Sequence, residues 1–393
     1  MFSKARFIFG NSIYAILNAS LIYAVLTPYI RSKGIDPLQL STIQTVESFF
    51  WFVFMYVSGI IFDRFGAKIS FLLGRIFDFI SILLLLNPTF YNLILSYICI
   101  GISKGSIYGK YESYMYNYLS ARNQLKIYPR IAGIYYFFWD ISLSAMAFIS
   151  SILLKNHDYN FLIYITIILK IISILSVLFF IQGNKNSGLN EFKNESIKQI
   201  FITIFNCMKK SSIFTYLLIF YGVLNFFTYP LCLVIGDMVL VDMGWTGKEI
   251  AKYTSLIVGL MAVGTLLPIT IMPKGIKIKY CLYLSILQMF LMTISAIFYN
   301  KWLFISSAIF ITFTFALIEV SIEKHFEKYS DKKIRGSAIS LSISIGTLLR
   351  MFDIMLIGFI AKNYSYHLGL IFVVAPILIF LIFITYKLRR ADD

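Results

Sequence analysis

Histidine and cysteine are scarce in this sequence, and so is charge. The three histidines, His157, His325 and His367, lie far apart in sequence and lack metal-ligand spacing. The four cysteines, Cys99, Cys207, Cys232 and Cys281, form neither a CxxC pair nor a disulfide framework. No Gly-x-x-x-x-Gly-Lys-Ser/Thr loop is present to cradle a nucleotide phosphate. A catalytic centre needs a nucleophile–base pair or a metal set, and neither is written here. No catalytic residue, metal ligand or cofactor is therefore expected, and a membrane-embedded enzyme is disfavoured. Only 14% of the residues are charged, where soluble domains carry about a quarter.

What replaces charge is apolar mass. The chain is 59% hydrophobic, with a mean hydropathy of +0.79. The excess recurs from residue 7 to residue 387, so it is not one core segment. A helix needs about 20 apolar residues to cross a bilayer, and such runs return with short polar breaks between them. Twelve spans are expected, near 7–30, 39–62, 69–87, 91–119, 130–154, 160–182, 212–241, 248–272, 278–299, 302–326, 335–361 and 366–387. The breaks carry turn signals such as Gly34-Ile35-Asp36-Pro37, Asn87-Pro88 and Pro273-Lys274-Gly275. The first run is too long for a signal peptide, carries Asn11 and Asn18, and is followed by no small-residue cleavage site, so it reads as a retained span.

The net charge of +16 suggests a nucleic-acid partner, but the basic residues sit between apolar runs and assemble no soluble basic face. They report topology instead. With the N-terminus inside, 24 of the 35 Lys and Arg residues fall on the inner side, Arg75 counted among them, and 7 on the outer side. The positive-inside rule then puts both termini in the cytoplasm.

Residues 183–211 are the one long polar interruption. Gln182 to Gly188 reads as a flexible linker, and Glu191 to Lys210 as a plain tether or an amphipathic helix on the inner membrane surface. The expected organisation is a six-helix bundle over 1–182, a cytoplasmic linker over 183–211 and a second six-helix bundle over 212–393. The halves look duplicated. Lys33-Gly34-Ile35 and Met243-Gly244-Trp245 precede the second and eighth spans, and Gly66-Ala67-Lys68 and Gly275-Ile276-Lys277 leave them, at offsets of 210 and 209 residues.

The inner loop after the second span reads Gly59-Ile60-Ile61-Phe62-Asp63-Arg64-Phe65-Gly66-Ala67-Lys68. It resembles the G-x-x-x-D-R-x-G-x-K/R loop of the major facilitator superfamily, in the place that family puts it. Gly59 would let helices approach closely, Asp63 can accept from amides at a helix start, Gly66 permits a tight turn, and Arg64 and Lys68 face the anionic inner surface. The second-half loop is degenerate, with Met272 and Pro273 in place of the Asp-Arg pair. Arg335 to Ser340 also looks like a recurrent family pattern. Two departures are visible. The fourth span has Lys104 in place of an obvious arginine, and the fifth lacks a glycine-proline motif and carries Gly133, Trp139 and Asp140.

The resemblance implies an all-α integral membrane protein, with twelve transmembrane helices in two pseudo-symmetric six-helix bundles. It further implies a monomeric secondary transporter that moves a small-molecule substrate by alternating access, with the site near the midplane. Protons are the expected coupling ion and membrane lipids the surroundings. Efflux of a drug, metabolite or siderophore, or a transporter-like receptor that does not cycle, are the alternatives. The composition, rich in Ile, Lys, Asn, Tyr and Phe, fits a bacterial inner membrane.

Ionisable residues inside spans mark the places to look. Lys104, Tyr108 and Glu112 follow each other at i, i+4 and i+8 in the fourth span and share a face. They are candidate substrate or proton contacts, or a structural Lys–Glu pair. Lys110 points elsewhere and is expected to reach the inner surface. Asp140, Glu319, Arg350 and Asp353 are further candidates. Glu47 and Arg350 are candidate gate partners, because the family places spans two and eleven side by side. Alternatively, Arg350 is neutralised by Asp353 in its own helix. Asn11, Tyr14 and Asn18, and Asn225 with Tyr229 beside Pro230, are candidate polar linings. Asp78, Lys170 and Asp237 read as structural.

The orientation is testable. A fluorescent protein fused after Asp393 should fluoresce in intact cells and alkaline phosphatase fused there should be inactive. The reverse pattern would put the termini outside.

Overall fold

The computed structural model describes residues 10, 12–17, 19–107, 110–124, 128–181, 205, 206, 208, 209, 211–270, 276–329 and 335–392. Side chains within helices are left undescribed at 63, 112, 128–130, 132, 226–229, 267–270, 316, 320, 323–329, 335–340 and 388–392. Every regular element among the described residues is helical. Ten helical stretches are long and apolar enough to cross a membrane. The third expected span, Ala67–Leu84, is outside that set and carries Lys68, Arg75 and Asp78. The first expected span is described only in part.

In chain order the helices are α1 (Leu26–Ser32), α2 (Pro37–Phe65), α3 (Ala67–Leu84), α4 (Phe90–Ile107), α5 (Lys110–Ser120), α6 (Tyr128–Leu153) and α7 (Tyr159–Phe180). They continue with α8 (Ser212–Phe226), a π-helical segment Phe227–Ile235, α9 (Gly236–Asp242), α10 (Gly247–Thr270), α11 (Ile278–Phe298), α12 (Lys301–Tyr329), α13 (Arg335–Asn363) and α14 (Tyr366–Asp392). The expected amphipathic helix between Glu191 and Lys210 lies largely outside the described residues.

Two compact units emerge. One takes in Met1–Leu189 and Gly244–Val263, and the other Asn190–Met243 and Gly264–Asp393. In the first, Ser144 Oγ donates to the Ser255 carbonyl over 2.7 Å, tying α10 to α6.

The first span is not one continuous helix. A 3-10 turn, Ile22–Val25, precedes α1. Pro28 stands in the first turns of α1, and its ring crowds the carbonyl four residues back, at Ala24, while offering no N–H to it. The seventh span behaves comparably: Pro230 sits inside the π segment, where a missing N–H is absorbed by widened winding.

The starts of α2 and α10 are built alike. Gly34 and Gly244 both adopt left-handed backbone, with φ of 80° and 83°, which favours glycine. Two residues later a capping box begins. Gln39 N–H donates to Asp36 Oδ1 over 2.8 Å and Asp36 N–H to Gln39 Oε1 over 3.0 Å. Thr246 N–H donates to Glu249 Oε2 over 2.8 Å and Glu249 N–H to Thr246 Oγ1 over 3.4 Å. The offset is again 210 residues.

Small residues set the helix spacing in the first unit. A Cβ at Gly101 would lie 2.5 Å from the Glu47 carbonyl oxygen, and one at Gly105 would lie 2.7 Å from Phe54 Cβ, so α4 runs directly against α2. Serine hydroxyls bridge helices at this range: Ser58 to the Gly105 carbonyl over 2.6 Å, Ser70 to that of Ser106 over 3.0 Å, and Ser96 to that of Ser81 over 2.8 Å. In the second unit a Cβ at Gly346 would stand 2.6 Å from the Gly222 carbonyl, where α13 crosses α8. Among the described residues, an added Cβ at Gly59 would meet Lys110 Cε at 3.9 Å, an ordinary contact. The close approach expected there occurs at Gly101 and Gly105 instead.

Gly101→Val should lower the melting temperature in detergent, because its neighbours are backbone atoms that cannot yield; overpacking of this kind costs about 1–3 kcal/mol. Gly59→Ala should leave the melting temperature unchanged. Equal effects of the two would contradict this packing.

Candidate functional site

The close crossing of α2 and α4 brings two charges together. Lys104 Nζ donates to Glu47 Oε1 over 2.7 Å. The Glu47 side chain is 6% exposed and that of Lys104 is 29% exposed, so the lysine is the more exposed member of the pair. Its Nζ also stands 5.8 Å from the centre of the Trp51 ring. Glu47, expected at a gate with Arg350, is held in its own unit by Lys104.

A second cluster lies on α3, α7 and the first span. Lys170 Nζ is 2.8 Å from Asp78 Oδ2, and Arg75 reaches the same oxygen at 3.6 Å. The Tyr23 hydroxyl donates to Asp78 Oδ1, and the Lys170 ammonium is 5.0 Å from the centre of the Tyr23 ring. Arg75 caps the Tyr14 ring at 4.5 Å, and Tyr14 stacks on Tyr111 at 5.1 Å. Tyr14, a candidate lining residue, is thus buried in an aromatic cluster with Phe71, Tyr114 and Tyr135. Two cations converge on one carboxylate, all enclosed.

Both clusters sit deep. Glu47 is ten residues into α2, and Asp78 and Lys170 are each eleven into α3 and α7. At about 1.5 Å per residue that is roughly 15 Å, about half of a hydrocarbon core of about 30 Å.

Sequence reasoning missed the second cluster. Asp78 and Lys170 were single charges on apolar helices 92 residues apart, and Arg75 was counted with the inner loop. Arg75 is 1% exposed and belongs to the bundle interior, so the inner-side tally drops by one without altering the orientation. The available signal was the spacing Arg75-x-x-Asp78, which puts both on one helix face.

The remaining candidates fall as follows. Tyr108 lies outside the described residues, and Glu112 is on α5 with its side chain undescribed. Lys110 donates to the Met55 carbonyl, eighteen residues into α2, over 2.8 Å. Asp140 is buried on α6 with no hydrogen bond or ion pair among the described residues. Glu319 accepts from the Tyr221 hydroxyl over 3.3 Å. Arg350 is buried, but no ion pair within 4.0 Å joins it to Asp353 among the described residues. Asp353 Oδ2 is enclosed without a donor. Neutralisation within that helix is therefore not what the structure displays.

In the inner loop Gly66 has φ 86° and is the cap of both α2 and α3. Lys68 Nζ donates to the Leu178 carbonyl near the end of α7 over 2.8 Å, where a cation suits the helix C-terminus. Arg64 is exposed. At the far end of the second unit the Tyr299 hydroxyl donates to Asp242 Oδ2. Burial and that carboxylate hold its phenol above its ordinary range, so it stays a donor.

Asp78 is the carboxylate that both Arg75 and Lys170 meet. Losing one member of a buried pair costs about 3–5 kcal/mol. Asp78→Asn should therefore lower thermal stability more than Lys170→Met, which leaves Arg75 to answer the carboxylate. The opposite order would show that Lys170, not Asp78, is the centre of the cluster.

Among known proteins, the profile of the Major Facilitator Superfamily matches residues 8–322. No curated protein sequence matches the chain. Solved structures do. A mutant of the nucleoside transporter NupG superimposes with a TM-score of 0.78 at 15% identity, over 97% of this chain and 99% of that one. A D-xylose–proton symporter gives 0.66 at 13% identity, over 95% and 96%. A POT family transporter in complex with 5-aminolevulinic acid gives 0.67 at 15% identity, over 99% and 95%. At such identities these likenesses speak for the fold. With a family profile spanning most of its length and a helical architecture shared end to end with solved transporters, the chain belongs to the major facilitator superfamily.

Proposed function

We propose that the chain is a proton-coupled secondary transporter of a small polar or charged solute, working by alternating access in a bacterial inner membrane. In this reading it is monomeric and both termini are cytoplasmic. The observation that carries it is the Glu47–Lys104 pair at mid-depth, with the lysine side chain partly exposed. An ion pair at that depth is costly, and a partly exposed lysine there can receive a polar or anionic group of a solute. With no phosphate-binding loop in the sequence, the energy comes from an ion gradient, or transport is passive. Solved relatives of this fold include transporters described for nucleosides and for D-xylose with protons, which are polar solutes of this size.

In this reading Lys104, Tyr108 and Glu112 line the solute path from the fourth span, with Asp140 beyond them on α6. Glu319, Arg350 and Asp353 serve the second half. Glu47 exchanges between Lys104 and Arg350 as the gate opens and closes. The loop of Gly59, Asp63, Arg64, Gly66 and Lys68 links the movements of α2 and α3.

A thermal-shift screen of the solubilised protein against nucleosides, pentoses and amino acids should give a stabilising hit, since a ligand that binds only the folded state raises its melting point. In proteoliposomes, flux of that compound should respond to an imposed pH gradient. Glu112→Gln should weaken the response. A full pH response in that variant would remove Glu112 from the proton path, and no flux from the wild type would favour a receptor.

A further inference from the structure

Asp237 is a buried carboxylate that the reading above leaves unused. It is the second residue of α9, directly after the π segment. The residue is 8% exposed, and its Oδ1 is enclosed with no hydrogen-bond partner. No ion pair reaches it among the described residues. Asp78 is similarly buried but has a phenol and two cations around it. The two carboxyls therefore face opposite conditions.

An ionised carboxylate without donors in a low-dielectric interior costs several kcal/mol. The neutral acid avoids that cost, and its single hydroxyl hydrogen can be given to a backbone carbonyl of its own helix. Among the described residues, the elements packed most extensively against α9 are the π segment and α14. Their titratable groups at this end are Tyr229 and Cys232 on the former, and Tyr366 and His367 on the latter. The other ionisable residues of α14 begin at Tyr386, twenty residues and about 30 Å further along. On α9 itself, Asp242 is engaged by Tyr299. Among the described side chains, Cys232, Tyr366 and His367, none is a counter-charge paired with Asp237.

The π segment adds a means of access. It holds more residues per turn than an α-helix and contains Pro230, which contributes no N–H. Return of this stretch to α-helical bonding would turn α9 by about one residue, roughly 100°, and carry the carboxyl with it.

We propose that Asp237 is a proton-binding site, neutral while enclosed and able to release its proton when the π segment rewinds and turns it toward water. The site deepens the proton-coupled reading and rests on it for its role in transport.

The probe is the proton itself. Infrared difference spectra of the full-length reconstituted protein, titrated from acid to alkaline pH, should contain a carboxylic-acid C=O band from a dry site. The band should fade as pH rises, be lost in Asp237→Asn, shift in Asp237→Glu and persist in Asp140→Asn. A band unchanged in both Asp237 variants, or absent from the wild type, overturns the assignment. If Asp237→Asn does not fold, the Glu variant decides, because it keeps an acid whose band moves. A wild-type protein that shows the band while its flux ignores the pH gradient would defeat the coupled-transport reading and leave the site standing.

Discussion

Lipid solvates no charge, so each ionised group in these spans has to be answered by the protein itself. Asp78 shows the constraint at its strictest. Its carboxylate draws Lys170 from α7, Arg75 from its own helix and Tyr23 from the first span. Three segments distant in sequence thereby converge at one depth. Glu47 and Lys104 obey the same rule with one difference: their pair is more exposed on the lysine side. A closed cluster fixes three segments at once, whereas the pair joins only two helices and keeps one side chain partly exposed. The first unit contains both kinds within a similar distance of the bilayer centre.

Helix approach makes these pairings reachable. Gly101 and Gly105 bracket Lys104 on α4, and their lack of side chains lets α2 lie against that face. Serines then spend their hydroxyls on carbonyls of neighbouring helices. Little apolar driving force is available between helices in lipid, so close contact and such bonds hold the bundle.

Much of this was legible in the sequence because the physics involved is local. Apolar run length marks spans, Gly34 and Gly244 mark turns, and Pro230 marks a disturbed helix. The inner loop from Gly59 to Lys68 pointed to the family. The pairings were not legible, because they depend on which helices meet. Lys104 was read along its own helix toward Glu112, whereas its observed partner is on α2, 57 residues away. Arg75 falls inside the expected span 69–87 yet is counted on the inner side; α3 begins at Ala67 and carries it two turns into the bundle. Lys110 illustrates the same limit: nothing in its own helix names the Met55 carbonyl on α2 as its acceptor.

Gly66 is a single residue that ends α2 and begins α3, with its N–H bonded to the Phe62 carbonyl over 2.9 Å. A joint one residue long stores no slack. Glu47 rides on the first arm of that linkage and Asp78 on the second. The half-exposed pair and the enclosed cluster thus hang from two helices that share a single connecting residue.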